Sequence, residues 1–311
     1  MRIVVAVGGN ALIRAGQAGT WDEQLANVRE IAAAVLALRG LGHEVVLTHG
    51  NGPHVGALLL QNKLGEAEAA PLPLDALIAM TQGWIGYLLE SSFAALDPGV
   101  PIAVLLTRVM VDRDDPAFSA PDKPVGPFYS ESEALRRSAE LGWDVAADAG
   151  RGWRRVVPSP RPLEVLGERH VRALIEQGSV VIACGGGGIP VAAQGREVVG
   201  VAGVIDKDRC SARLAADIAA DVLVLLTGVP RVALDYGTRW ERELSSLTVA
   251  DARRGLAEGD FPAGSMGPKI ESAEHFVSES GGRALVTSAE HLVASVTGGD
   301  GTWIVPERVP A

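Results

Sequence analysis

The sequence predicts an α/β fold in which parallel strands are joined by crossover helices. Three observations predict it. Short runs of Val, Ile and Leu alternate with longer stretches of helical periodicity, glycine turns directly follow two of the early strands, and 47% of the 311 residues are hydrophobic. The first observation is the pattern of strands buried on both faces. The third gives enough apolar surface for a large core and opposes disorder.

Residues 3–7 form the first strand, and residues 21–39 a helix with Leu25, Val28, Ala32, Val35 and Leu36 on one face. Gly40 and Gly42 end that helix ahead of a second strand at residues 44–48. A further helix over residues 72–96 leads to a candidate strand at 101–106. From about 112 to 162 the chain turns polar and rich in Pro and Gly, which predicts an inserted lid subdomain. Alternation resumes with a helix at 163–177, a strand at 180–183 and a glycine run at 185–188. Helices near 209–220, 248–258 and 268–280 then alternate with strands at 222–227, 284–287 and 303–305. The single domain divides into an N-terminal lobe over about 1–178, with the lid, and a C-terminal nucleotide lobe over about 179–311.

A net charge of −10 opposes a general role on nucleic acid or anionic membranes, since both call for a basic face. Any anionic substrate must therefore meet a locally positive pocket. The opening residues are too few and too interrupted for a signal peptide or membrane span, and the two cysteines without a disulfide pattern lead to the expectation of a reducing, cytoplasmic location. Cys184 and Cys210 lack the spacing of a zinc site or a disulfide framework.

Gly8-Gly9-Asn10 and Gly50-Asn51-Gly52 each follow a strand, where an α/β sheet presents backbone N–H groups to ligands. Together they make a candidate anion cradle. The run containing Gly186 and Gly187 fits neither the P-loop nor the dinucleotide-binding fingerprint, so close approach to a ligand is its expected purpose. The chain has only four lysines: Lys63, Lys123, Lys207 and Lys269. Lys207 and Lys269 stand at helix starts, where the macrodipole opposes them unless an anion is bound there, and Lys123 lies in the lid. Three converging lysines would supply the positive charge that phosphoryl transfer needs, with Asp208 orienting Lys207 and Lys269 directly or through Mg²⁺. Lys63 has no glycine turn beside it and reads as solvated.

Six blocks carry a resemblance: GGNAL at Gly8, THGNGPHVG at Thr48, RRVVPSP at Arg154, CGGGGIPV at Cys184, VIDKD at Val204 and GSMGPK at Gly264. In this order they resemble the carbamate kinases within the amino acid kinase family. The resemblance implies a three-layer αβα sandwich with an open, mainly parallel sheet, and a homodimer. It implies MgATP or MgADP with carbamate or carbamoyl phosphate as substrates, Mg²⁺ arriving with the nucleotide, no prosthetic group, and a place in arginine metabolism. It also implies that Lys123, Lys207 and Lys269 surround the transferred phosphoryl group, with Asp208 organising them. Gly8, Gly9, Asn10, Gly50, Asn51 and Gly52 would face carbamate and the γ-phosphate. Thr227, Tyr236, Met266 and Gly267 would enclose the nucleotide. Ala6 stands where many amino acid kinases carry a lysine, which favours carbamate over acetylglutamate or glutamate as acceptor, while His54 replaces an expected Gln in the second glycine motif. The stretch 200–203 lacks the glutamate expected ahead of VIDKD. The competing readings are a kinase for another small carboxylate or phosphonate, a nucleotide-binding regulator without catalysis, and a nicotinamide-dependent oxidoreductase, which lacks its glycine fingerprint.

Overall fold

The computed structural model describes residues 1–14, 16–148, 152–262 and 264–307; the side chain of Asn10 lies outside what it describes. Among these residues eight strands form the main sheet: β1 (Arg2–Val7), β2 (Glu44–His49), β3 (Ile102–Val104), β4 (Val180–Ile182), β5 (Val222–Thr227), β6 (Ser246–Thr248), β7 (Arg283–Ser288) and β8 (Thr302–Val305). Their spatial order is β6-β8-β7-β5-β1-β2-β4-β3. Every pairing is parallel except β7 with β8.

The central strand shows why the sheet has a layer on each side. Side chains alternate across a strand, so Ile3, Val5 and Val7 enter one core while Val4 and Ala6 enter the other. The first core is closed by helices α1 (Trp21–Gly40) and α3 (Leu74–Leu96), through Val28, Ile31 and Val35 and through Ile85, Leu88 and Phe93. The second is closed by α4 (Glu168–Glu176), α5 (Lys207–Asp217) and α6 (Met266–Ser280), through Val171, Leu214 and Phe276. Between α1 and α3 in sequence runs α2 (Gly52–Leu64). A capping box of Thr20 and Glu23 starts α1. The αβα expectation holds.

The insertion also holds, with a clear base. Strands Arg108–Val111 and Pro162–Leu166 pair antiparallel at its two ends. Beyond them a separate three-stranded sheet, Lys123–Tyr129, Trp153–Val157 and Val145–Ala147, carries helix Glu131–Leu141. Three elements depart from the sequence reading. The expected helix over 163–177 is a strand, Pro162–Leu166, then a turn, then α4, because Gly167 adopts φ +93° and stops helix propagation. A hairpin of Ile189–Gln194 and Glu197–Gly200, absent from that reading, joins Arg108–Val111 in a four-stranded sheet. β4, read as part of the second half, lies between β2 and β3 among the N-terminal strands. No helix of the described residues is long and apolar enough to cross a membrane.

Candidate active site

The site gathers where β1 and β2 end. Their glycine turns are pressed together: a Cβ on Gly50 would lie 2.9 Å from the Gly9 nitrogen and 3.2 Å from Lys207 Cδ, and one on Gly8 would lie 3.9 Å from Lys207 Cε. Both turns therefore line the stem of Lys207, and only glycine at position 50 leaves room for that approach. Gly52 opens α2 with Pro53 in the first turn, and a Cβ there would stand 3.8 Å from the Pro124 carbonyl of the lid.

The lysines converge on two aspartates. Asp206 caps α5, its Oδ1 accepting the backbone N–H of Asp208 at 2.9 Å and of Arg209 at 3.3 Å. The next residues, Lys207 and Asp208, thus begin the helix at fixed positions. Lys207 Nζ donates to Asp208 Oδ1, and Lys269 Nζ, from the first turn of α6, donates to Asp208 Oδ2 at 3.1 Å. Lys123, the first residue of the lid sheet, donates to Asp206 Oδ2. The side chains of Lys207 and Lys269 are each 12% exposed and that of Asp208 is 8% exposed, so the pairs sit in a weakly screened environment. Three ammoniums against two carboxylates leave one net positive charge inside an acidic protein.

Electrostatics follow from that burial. Desolvation alone would raise the Asp208 carboxyl, yet Lys207 and Lys269 hold it below the usual carboxylate range. Desolvation also lowers Lys207, opposed by Asp208 and reinforced by Lys269. Asp206 behaves like Asp208, with Lys123 and Lys207 outweighing burial.

The glycine run packs closely against other parts of the site. Gly186 and Gly187 have φ of +67° and +85°, and a Cβ on them would collide with the Asn51 side chain and the Ile205 carbonyl respectively. One on Gly185 would collide with His49. The run thereby locks β2's turn to the segment leading into α5. Asn51 is held from the other side by Thr81, its Nδ2 donating to Thr81 Oγ1 at 2.8 Å. Gln82 Nε2 donates to the Gly185 carbonyl at 2.8 Å while its Oε1 accepts the Thr107 N–H at 2.8 Å. Sequence reasoning missed Asp206, Thr81 and Gln82. Only Asp206 left a signal, as the acid ahead of a helix start.

Other expected residues fall differently. Lys63 pairs with Glu66 at the exposed end of α2. His54 is turned into helix packing: its Nε2 meets Gln24 Oε1 at 2.7 Å and its ring stands edge-on to Trp84 at 4.9 Å. Thr227 ends β5, and Met266 opens α6 against the core, with the Gly267 N–H donating to the Pro262 carbonyl at 2.9 Å. Tyr236 is 62% exposed on the segment after Val232–Leu234.

Comparison with known proteins decides the family. The sequence profile of the amino acid kinase family matches residues 1–288. The chain belongs to that family. A carbamate kinase of Pyrococcus horikoshii is 44% identical, covering 98% of this chain and 99% of the relative. Among solved structures, a carbamate kinase from Giardia lamblia bound to citric acid superposes with a TM-score of 0.94 at 37% identity, covering 98% of each chain. The same Giardia protein bound to AMP-PNP gives a TM-score of 0.89 at 38% identity over 98% of each chain. Solved structures at lower identity share the fold, among them an aspartate kinase from Synechocystis at 15% identity and a TM-score of 0.56, covering 100% of this chain and 40% of that one.

Proposed function

We propose that this chain is a carbamate kinase, transferring a phosphoryl group reversibly between ATP and carbamate. The observation that carries the reading is Asp208 joining Lys207, whose stem lies along the glycine turns of β1 and β2, to Lys269. Two ammoniums fixed on one carboxylate, one of them on a stem beside backbone that can approach an anion closely, are an arrangement that stabilises charge on transferring oxygens. The full-length match to carbamate kinases supports carbamate as acceptor. Ala6, fully buried in β1, keeps a further lysine out of this end of the sheet.

In this reading Lys207, Lys269 and Lys123 neutralise the equatorial oxygens of the transferred group, and Gly8, Gly9, Gly50 and Gly52 present backbone to the substrates. Carbamate brings its own anionic oxygen, so no side chain need remove a proton. Thr227, Tyr236, Met266 and Gly267 would border the nucleotide. Asp206 and Asp208 already hold lysines, which fits a Mg²⁺ carried in on the ATP phosphates, where it would offset their charge. Met80 and Tyr87, exposed two turns apart on α3, and exposed Trp21 beside the Tyr87 ring support a homodimer.

The test is ATP formation from ADP and carbamoyl phosphate with Mg²⁺, run beside acetyl phosphate and an N-acetylglutamate kinase assay. Turnover selective for carbamoyl phosphate is expected. No turnover of it would overturn the proposal.

A further inference from the structure

Lys123 and Asp206 are 83 residues apart in sequence, on the lid and on the helix that carries two of the site's charged groups, yet their side chains are paired. The two oxygens of Asp206 divide their work. Oδ1 takes the N–H groups of Asp208 and Arg209, and Oδ2 takes the ammonium of Lys123. We propose that Asp206 is a positioning residue that docks the lid: its carboxylate fixes where Lys123 stands for phosphoryl transfer and registers the lid to the residue that holds Lys207 and Lys269. This rests on the kinase reading above and extends it to a residue outside the lysine and Asp208 set.

Capping alone does not explain an aspartate here. A helix N-terminus is satisfied as well by Asn or Ser, which bring no charge to desolvate. The charge at position 206 answers to the helix N-terminus, to Lys207 and to Lys123, and of these Lys123 is the one that comes from the lid. An ammonium has three donors, so one spent on Asp206 leaves two for phosphoryl oxygens. The lid has further anchorage: Val125 and Val157 share a buried cluster with Val204, and the Val204 N–H donates to the Pro158 carbonyl at 2.8 Å. Gly126 of the lid rests on Gly56 of α2, backbone against backbone, and the Pro124 carbonyl lies by Gly52. Among the described residues, the Lys123–Asp206 pair is the ion pair from the first lid strand to the start of α5. Because the same carboxylate holds the Asp208 N–H, lid docking and alignment of the Asp208 lysines are mechanically one event.

Asp206→Asn separates the two duties, since its amide oxygen can still cap α5 while its NH₂ group repels Lys123. Lys123→Ala, the double variant and Asp206→Ala complete the set. Steady-state kinetics, thermal melting and hydrogen exchange over residues 123–129 and 153–157 would be measured on the full chain. Asp206→Asn is expected to melt within about 2 °C of wild type while Asp206→Ala melts lower. The kcat of Asp206→Asn should fall by roughly 10- to 100-fold, and the double variant should stay within about twofold of Lys123→Ala, because both changes remove one interaction. Lid exchange should quicken equally in Asp206→Asn and Lys123→Ala. Multiplicative losses in the double variant, or lid exchange in Asp206→Asn equal to wild type, would overturn the docking role. The exchange readout needs no substrate, so an error in the assigned reaction would show in the turnover assay and leave this test standing.

Discussion

Asp208 is shared between two ammoniums: its Oδ1 accepts from Lys207, one residue earlier on α5, and its Oδ2 accepts from Lys269 on α6 at 3.1 Å. One buried carboxylate thus keeps two like charges side by side. Asp208→Asn should lower kcat by about 10³-fold, since both lysines lose the group that aims them at the transition state. It should also change the pH profile. Burial and Lys269 lower the Lys207 pKa and Asp208 raises it, so without Asp208 the proton leaves Lys207 at lower pH. The basic limb of kcat against pH should move downward. An unmoved limb would show that Lys207 is not held charged by Asp208.

Lys207→Ala and Lys269→Ala should each reduce kcat by about 10²-fold or more with near-native circular dichroism, because each deletes charge needed mainly in the transition state. Lys123→Ala should lower kcat and raise KM together, as its side chain belongs to the lid. Near-normal turnover in the first two variants would move the site elsewhere.

The legible parts of this protein were those whose chemistry stands out locally. Lysine is so scarce that Lys207 and Lys269 at helix starts declared themselves, and strands such as Val222–Thr227 follow from apolar runs buried on both faces. Pro162–Leu166 was hidden because Leu163 and Val165 blend into the helical spacing that follows, and only Gly167 marks the break. Thr81 and Gln82 sit within an apolar helix, where a polar pair carries no sign of the glycine turns it supports. Asp206 was visible as a flanking acid, but its pairing with Lys123 depends on the lid folding back across the chain. Long-range contacts of that kind have no local signature.

Gly56→Ala tests how the lid seats. Inside a helix, alanine normally gains up to about 1 kcal/mol over glycine. Here the new Cβ would overlap Gly126 backbone, and Gly126 itself holds φ +78°. Backbone cannot yield as a flexible side chain does, so the lid strand must lift from α2. The expected result is a fall in kcat of at least about tenfold with faster hydrogen exchange over residues 123–129. Full activity would mean that the lid works without this contact.

His54→Gln addresses acid stability. His49 and His54 are buried, and desolvation lowers both to about 4, with the charge of His49 a lesser cause at His54. The Gln24 amide is oriented by its Nε2 donating to the Gly19 carbonyl at 2.6 Å, so its Oε1 faces His54 and requires the proton on His54 Nε2. Nδ1 is then a buried acceptor without a hydrogen-bond partner among the described residues. Protonating it would bury a second N–H and a charge. The unfolded chain binds that proton near pH 6.5, so each histidine contributes stability that is present above about 6.5 and lost as pH falls toward about 4, at most about 3 kcal/mol apiece. Gln does not titrate and can keep a hydrogen bond to Gln24, though it gives up the ring contact with Trp84. Thermal melts should therefore show His54→Gln with a lower Tm than wild type at pH 7.5 but with a clearly smaller further loss between pH 7 and pH 5, the remainder belonging to His49 and to His43, which burial and the N-terminal charge also lower. Equal losses in the two proteins would mean that His54 does not enter the fold as a neutral ring.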